Sequence, residues 1–188
     1  MKDQDGLGAI FQDLSASAPS SISGLNTVIT FSMMPGNHCT TSDCIRAYIQ
    51  SPLKTKHRTF VLLPPELVPQ SKKHLKSPCA QLHKSLYGHP ESSAHWQSHL
   101  SAVLQKQLGG VEFQNLPSVF WFDSMKLILS VYVDDLTLAG EASKHDSFWK
   151  TLKQHINLDP PTEFGRVLGR DHRLVKFEVI SCPCSRMQ

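Results

Sequence analysis

Between residues 90 and 160 the hydrophobic positions change period several times. Trp96, Leu100, Val103, Leu104 and Leu108 recur at steps of four, three, one and four after Pro90. That spacing puts them on one helical face. Pro90 suits a first helical position, and Gly109-Gly110 suits a helix end. Next, residues 118–122 (SVFWF) and 126–133 (KLILSVYV) flank Asp123-Ser124, which predicts a β-hairpin. Asp134-Asp135 follows, then a short strand over 136–139 closed by Gly140. A second helix is predicted over 145–157, with Phe148, Trp149, Leu152 and Ile156 on one face, stopped by Pro160-Pro161. Upstream the pattern is weaker. Residues 44–49 alternate imperfectly and predict a strand running into a short helix, and 59–63 (TFVLL) predict a strand stopped by Pro64-Pro65. Residues 1–38 show no clear period and read as a loosely structured leader or the remnant of a larger upstream region. The order of elements predicts an α+β fold with helices on one face of an antiparallel sheet.

Composition narrows the picture. The chain has 188 residues, 40% of them hydrophobic, which suits one domain or one and a half with a real core. The longest apolar run is far short of the roughly 20 residues of a membrane helix. The N-terminus has no basic start followed by an apolar block, so a signal peptide is not expected. The five cysteines, Cys39, Cys44, Cys79, Cys182 and Cys184, are odd in number and irregular in spacing. A reducing, intracellular setting, cytoplasm or nucleus, is the simpler expectation. The net charge of +3 hides an asymmetry: between Lys54 and Lys84 stand seven Lys or Arg against the single acid Glu66. Arg166, Arg170, Arg173 and Lys176 form a second basic cluster. Such clusters favour a polyanionic partner, although a solvated basic loop reads the same way.

The chemistry concentrates at Tyr132-Val133-Asp134-Asp135. An apolar run feeds two adjacent carboxylates and an apolar strand leaves them. Two like charges at such a turn repel unless a partner neutralises them. A divalent cation with a preference for carboxylate oxygen would do so. The plainer alternative is a turn in which Asp is simply favoured.

Tyr132-Val133-Asp134-Asp135, within LILSVYVDDLTLAG, resembles the YVDD box of copia-type retrotransposon reverse transcriptases. Ser85-Leu86-Tyr87-Gly88 with Trp96 resembles the family's LYG…W segment. Asp43-Cys44-Ile45-Arg46-Ala47-Tyr48-Ile49 resembles its D-x-x-x-A-[FY] motif, followed by Ser51-Pro52-Leu53 and by residues 62–67 (LLPPEL). Arg166-Val167-Leu168-Gly169 resembles its FLG segment. The order and spacing of the four motifs make the set specific, and together they span about residues 25–175. The chain departs from the family at His89-Pro90-Glu91-Ser92-Ser93, where a Lys- and Gln-rich run is usual, and at Val167, where an aromatic is usual.

The resemblance implies an RNA-directed DNA polymerase of the fingers-palm type, its antiparallel sheet carrying the YVDD hairpin with helices packed on one face. Residues 1–38 would be a leader or partial fingers, 39–177 the fingers-palm and 178–188 an unmatched tail. A thumb is expected to be absent, which makes the chain a fragment or a decayed copy and a poor polymerase on its own. Asp43, Asp134 and Asp135 would be the catalytic residues and would hold two Mg²⁺ ions, with Mn²⁺ as a substitute. Tyr48, Tyr87, Gly88 and Arg58 would contact the nucleotide, Tyr48 against its sugar. The implied partners are an RNA or DNA template with its primer and deoxynucleoside triphosphates, without a membrane. Two rival functions are a catalytically inactive remnant and a non-enzymatic nucleic-acid-binding module. The second would carry exposed aromatics on the sheet and would not need the acidic residues.

Other chemistry-bearing residues have plainer readings. His95 and His99 stand four apart but lack obvious co-ligands, so surface or packing roles are expected. Cys182-Pro183-Cys184 lacks the second pair a metal knuckle needs. Cys44 suits packing, and Trp96, Trp121 and Trp149 suit the core better than base stacking.

Overall fold

The computed structural model describes residues 18–167, 169–173 and 175. Leu168, Lys176 and the 178–188 tail with its Cys182-Pro183-Cys184 lie outside them. The elements in chain order are α1 (Ile22–Ser32), β1 (Asn37–Asp43), α2 (Ala47–Gln50), β2 (Phe60–Leu62), β3 (Cys79–Gln81), α3 (Ser92–Leu108), β4 (Val111–Phe113), β5 (Leu116–Phe122), β6 (Leu127–Tyr132), β7 (Asp135–Glu141), α4 (Ala142–Lys153), β8 (Thr162–Glu163), β9 (Arg166–Val167) and β10 (Arg170–Asp171). Six strands form one antiparallel sheet in the order β4-β5-β6-β7-β1-β8. β2 pairs with β3, and β9 with β10, in two small ribbons apart from it.

The side chains of β5 and β6 alternate between two cores, as the period of a strand requires. Phe120, Phe122, Leu127, Leu129 and Val131 point to one face, where α3 supplies Trp96, Leu100 and Leu104 and α4 supplies Phe148, Trp149 and Leu152. Val119 and Ile128 point to the other face, where they meet Val28 and Phe31 of α1, Cys39 and Ala139. The helices therefore occupy both faces, which corrects the one-face expectation. The cause is α1. Its Leu25 and Val28 are buried, but Asn, Thr and Ser interrupt the stripe, so the segment shows no clean period in sequence. Ser21 caps α1, its hydroxyl accepting from the Gly24 N–H at 3.1 Å. Residues 22–32 are thus an ordered helix rather than loose leader.

The strand expected at 44–49 lies earlier, at Asn37–Asp43, and residues 47–50 are helix. β1 (NHCTTSD) is polar in composition and is held as a strand by its full-length pairing with β7. α3 begins at Ser92 after the cap Glu91, so Pro90 precedes the helix instead of opening it, and Gly109 ends it in the left-handed region at φ 72°. α4 starts and ends a few residues before the expected 145–157. The turn after it still delivers Ile156 and Leu158 to the core. Among the described residues no helix is long and apolar enough to cross a membrane.

Candidate active site

Asp43 is the last residue of β1 and Asp135 the first of β7, and the two are directly opposed in the antiparallel register. Tyr132, the last residue of β6, opposes Asp135 on its other side. Pairing alone thus brings together residues about ninety positions apart in sequence, at the end of three adjacent central strands. Alternation places Asp43, Tyr132 and Asp135 on the face of the sheet that carries α1 further along.

The hairpin between β6 and β7 turns through Val133 and Asp134. Val133 has φ 56°, the left-handed region, which is rare for a β-branched residue and costs on the order of 1–3 kcal/mol. Two donors from other elements hold the turn. The Cys44 N–H donates to the Asp134 carbonyl at 2.8 Å. The Trp96 indole N–H, on buried α3, donates to the Val133 carbonyl at 2.7 Å.

The carboxylates influence one another. Asp135 is raised to about 6, first by burial, then by the charges of Asp43 and Asp134, and last by a hydrogen bond with the Asp43 carboxyl. Cys44, next to Asp43 in the chain, is buried, and burial followed by the charges of Asp134, Asp43 and Asp135 drives its thiol far up. It stays protonated and serves as packing. Among the described residues no three His, Cys, Asp or Glu side chains form a ready-made enclosure for a metal ion.

Beside the carboxylates stand two tyrosines. Tyr48, on α2 just after Asp43, and Tyr87 lie with ring centroids 4.4 Å apart at 40°. The pKa of Tyr87 is raised, first by burial and then by Asp134, Tyr48 and Cys44, which places its hydroxyl in the field of Asp134. The loop carrying Tyr87 is anchored on both sides. The Ser51 hydroxyl donates to the Ser85 hydroxyl at 2.9 Å, and both residues are fully buried. The Ser92 hydroxyl, at the start of α3, donates to the Leu86 carbonyl at 2.8 Å. Gly88 sits at φ 89° with open space where a Cβ would stand, so backbone conformation is what makes glycine suit this turn. His89 is buried against Thr59, its Nε2 being 3.2 Å from the Thr59 hydroxyl. Arg58 is exposed on the loop one residue before Thr59.

A family model for reverse transcriptase (RNA-dependent DNA polymerase) matches residues 11–173, most of the chain. The chain belongs to the reverse transcriptase family. A search of curated proteins found no match. The match covers the YVDD-like turn, the LYG-like loop and the strand bearing Asp43, so a reverse transcriptase domain contains all the residues described above. The family acts on a nucleic-acid template with nucleotide substrates.

The structure brings Asp43, Asp134, Asp135, Tyr48 and Tyr87 into one neighbourhood and leaves Arg58 on an exposed loop. Sequence reasoning placed Trp96 in the core, and it is 1% exposed. It missed the second role of the indole as a donor to the turn. Trp149, also buried, donates to Thr40, and the half-buried Trp121 stacks edge-on with Phe31 at 5.8 Å. His95 lies 3.4 Å from Glu91 and His99 beside the Trp96 ring, which are packing roles.

Proposed function

We propose that this reverse transcriptase domain is of the copia type and forms a fingers-palm unit that adds deoxynucleotides to a primer on an RNA or DNA template. The observation that carries the reading is the register opposition of Asp43 and Asp135, with Asp134 in the adjoining turn and the Tyr48–Tyr87 ring pair beside them. The donor set fits Mg²⁺ or Mn²⁺: the cluster is all carboxylate oxygen, and every influence on Asp135 opposes its ionisation, as expected where a cation belongs. A set that does not enclose an ion also fits, because Mg²⁺ is commonly held by one or two carboxylates completed by substrate phosphates.

Asp43, Asp134 and Asp135 would hold two such ions, which when bound lower the pKa of the primer hydroxyl and neutralise the departing pyrophosphate. The protein's part is positioning and charge placement, since phosphoryl transfer asks little else of it. Tyr48 would set its ring against the sugar of an incoming nucleotide, with the Tyr87 ring 4.4 Å away as its neighbour. Gly88 would line the same pocket, and Arg58, exposed on its loop, would contact the triphosphate.

The experiment is a titration of the full chain with Mn²⁺ beside Asp43→Asn and Asp135→Asn, together with primer extension and an Asp134→Asn control. Binding lost in the variants, and weak extension abolished by the control, is expected. Equal Mn²⁺ uptake by all proteins, or extension that persists in the control, would overturn the reading.

A further inference from the structure

Two hydrogen bonds from other elements reach the YVDD-like turn, one from a backbone N–H and one from a side chain distant in sequence. Val133 holds φ 56°, a conformation that a valine keeps only where its surroundings over-determine it. Its flanks are anchored by the β6–β7 pairing up to the Tyr132–Asp135 pair. The Asp134 carbonyl is taken by the Cys44 N–H at 2.8 Å. What remains is the Val133 carbonyl, and it receives the Trp96 indole N–H at 2.7 Å. Trp96 cannot swing to follow the turn, because it is 1% exposed and packed with Leu100, Val131 and Leu136. α3 also holds the Tyr87 loop through Ser92 and Leu86. One rigid helix thus grips both the loop that carries Tyr87 and the turn that carries Asp134.

We propose that Trp96 is a positioning residue: its indole N–H holds the Val133 carbonyl and so sets Asp134 and Asp135 against Asp43. The inference rests on the metal-site reading above for its consequence, but the contact itself is tested separately. The indole locks the turn in its left-handed form, and the two carboxylates are presented without first having to be ordered by the ion. Partners that orient metal ligands typically cost 10–100-fold in metal affinity when removed, so a loss of about tenfold is expected here.

The test uses the full chain and two matched variants. Trp96→Phe removes the N–H and keeps an aromatic ring. Trp149→Phe makes the same change in the same core, where the lost bond is the 2.9 Å contact to the Thr40 hydroxyl, away from the turn. Hydrogen exchange over residues 131–136 is expected to accelerate by up to about tenfold in Trp96→Phe, the worth of one hydrogen bond, and to stay at the wild-type rate in Trp149→Phe, and Mn²⁺ binding to weaken about tenfold in the first alone. Unchanged exchange in Trp96→Phe, or equal acceleration in both variants, overturns the proposal. A wild-type chain that takes up no Mn²⁺ overturns the metal-site reading, while exchange at the turn still decides the role of Trp96. A readout that needs no variant guards against misfolding: in the wild-type chain Mg²⁺ should shift the Trp96 indole N–H resonance and leave that of Trp149 in place. An equal response of the two indoles overturns the proposal.

Discussion

Val133 and His145 show how single residues carry the tension in this fold. A valine at φ 56° is disfavoured by roughly 1–2 kcal/mol relative to a residue that tolerates the left-handed region. Val133→Asn should therefore raise stability by about 1 kcal/mol in urea unfolding, since Asn tolerates this conformation. His145 is buried in a directed chain of hydrogen bonds. The Trp149 indole donates to Thr40 Oγ1 at 2.9 Å, and Thr40 Oγ1 meets His145 Nδ1 at 2.8 Å. His145 Nε2 lies 3.3 Å from the Gly140 carbonyl, which can only accept, so Nε2 bears the proton and Nδ1 accepts. Burial first, and then His38, lowers the pKa of His145, against the opposing pull of the Gly140 carbonyl, Asp146 and Glu163. The unfolded chain therefore binds the proton more readily. The stability this group contributes is complete above about pH 6.5 and is lost as pH falls below that value toward the folded pKa. Unfolding midpoints measured from pH 8 to pH 5 should show an acid-side decline that His145→Gln reduces. At the site, Tyr48→Ala should let ribonucleotides into primer extension while leaving metal dependence intact. Unchanged sugar discrimination would remove Tyr48 from the pocket.

Among the elements, α1 differs most from its reading in sequence. Its apolar residues Leu25 and Val28 are enough to cover the second face of the sheet once Val119, Ile128 and Ala139 are there to receive them. Val28 is wholly buried, so Val28→Asp places an unpaired charge in that layer. It should cost upwards of 3 kcal/mol or unfold the chain, whereas Asn26→Asp on the exposed side of α1 should be near neutral. Thermal unfolding of the two variants separates them. α3 and α4 were legible because their stripes repeat without interruption, and the 118–133 hairpin because its two apolar runs flank a polar pair. β1 was not legible in place. Its strand character comes from seven consecutive pairs with β7, and a sequence window does not contain its partner.

The charge distribution acts at the scale of the whole molecule. The seven cations between Lys54 and Lys84 flank a ribbon, β2–β3, that stands apart from the main sheet. Phe60 and Leu62 on it are 53% and 72% exposed. Binding of a single-stranded oligonucleotide by the chain should weaken about tenfold or more between 50 and 200 mM salt, and Lys72→Gln with Lys73→Gln and Lys76→Gln should flatten that dependence. Salt-independent binding in a filter or anisotropy assay would show that the basic segment is only a solvated face.

Local pattern determined the two long helices, the central hairpin and the acidic turn, because each is encoded by residues that are neighbours in the chain. The ordered motifs also named Asp43, which the fold sets opposite Asp135, and Tyr48 and Tyr87, which it sets against each other. Tertiary structure decided the rest. It set Asp43 opposite Asp135 through strand pairing, put α1 on the second face, and gave the Trp96 indole a carbonyl to hold. Each of these depends on a partner far along the chain, 37 residues away for Trp96 and Val133 and further for the other two, and side-chain periodicity, being local, carries no record of which distant surface will meet it.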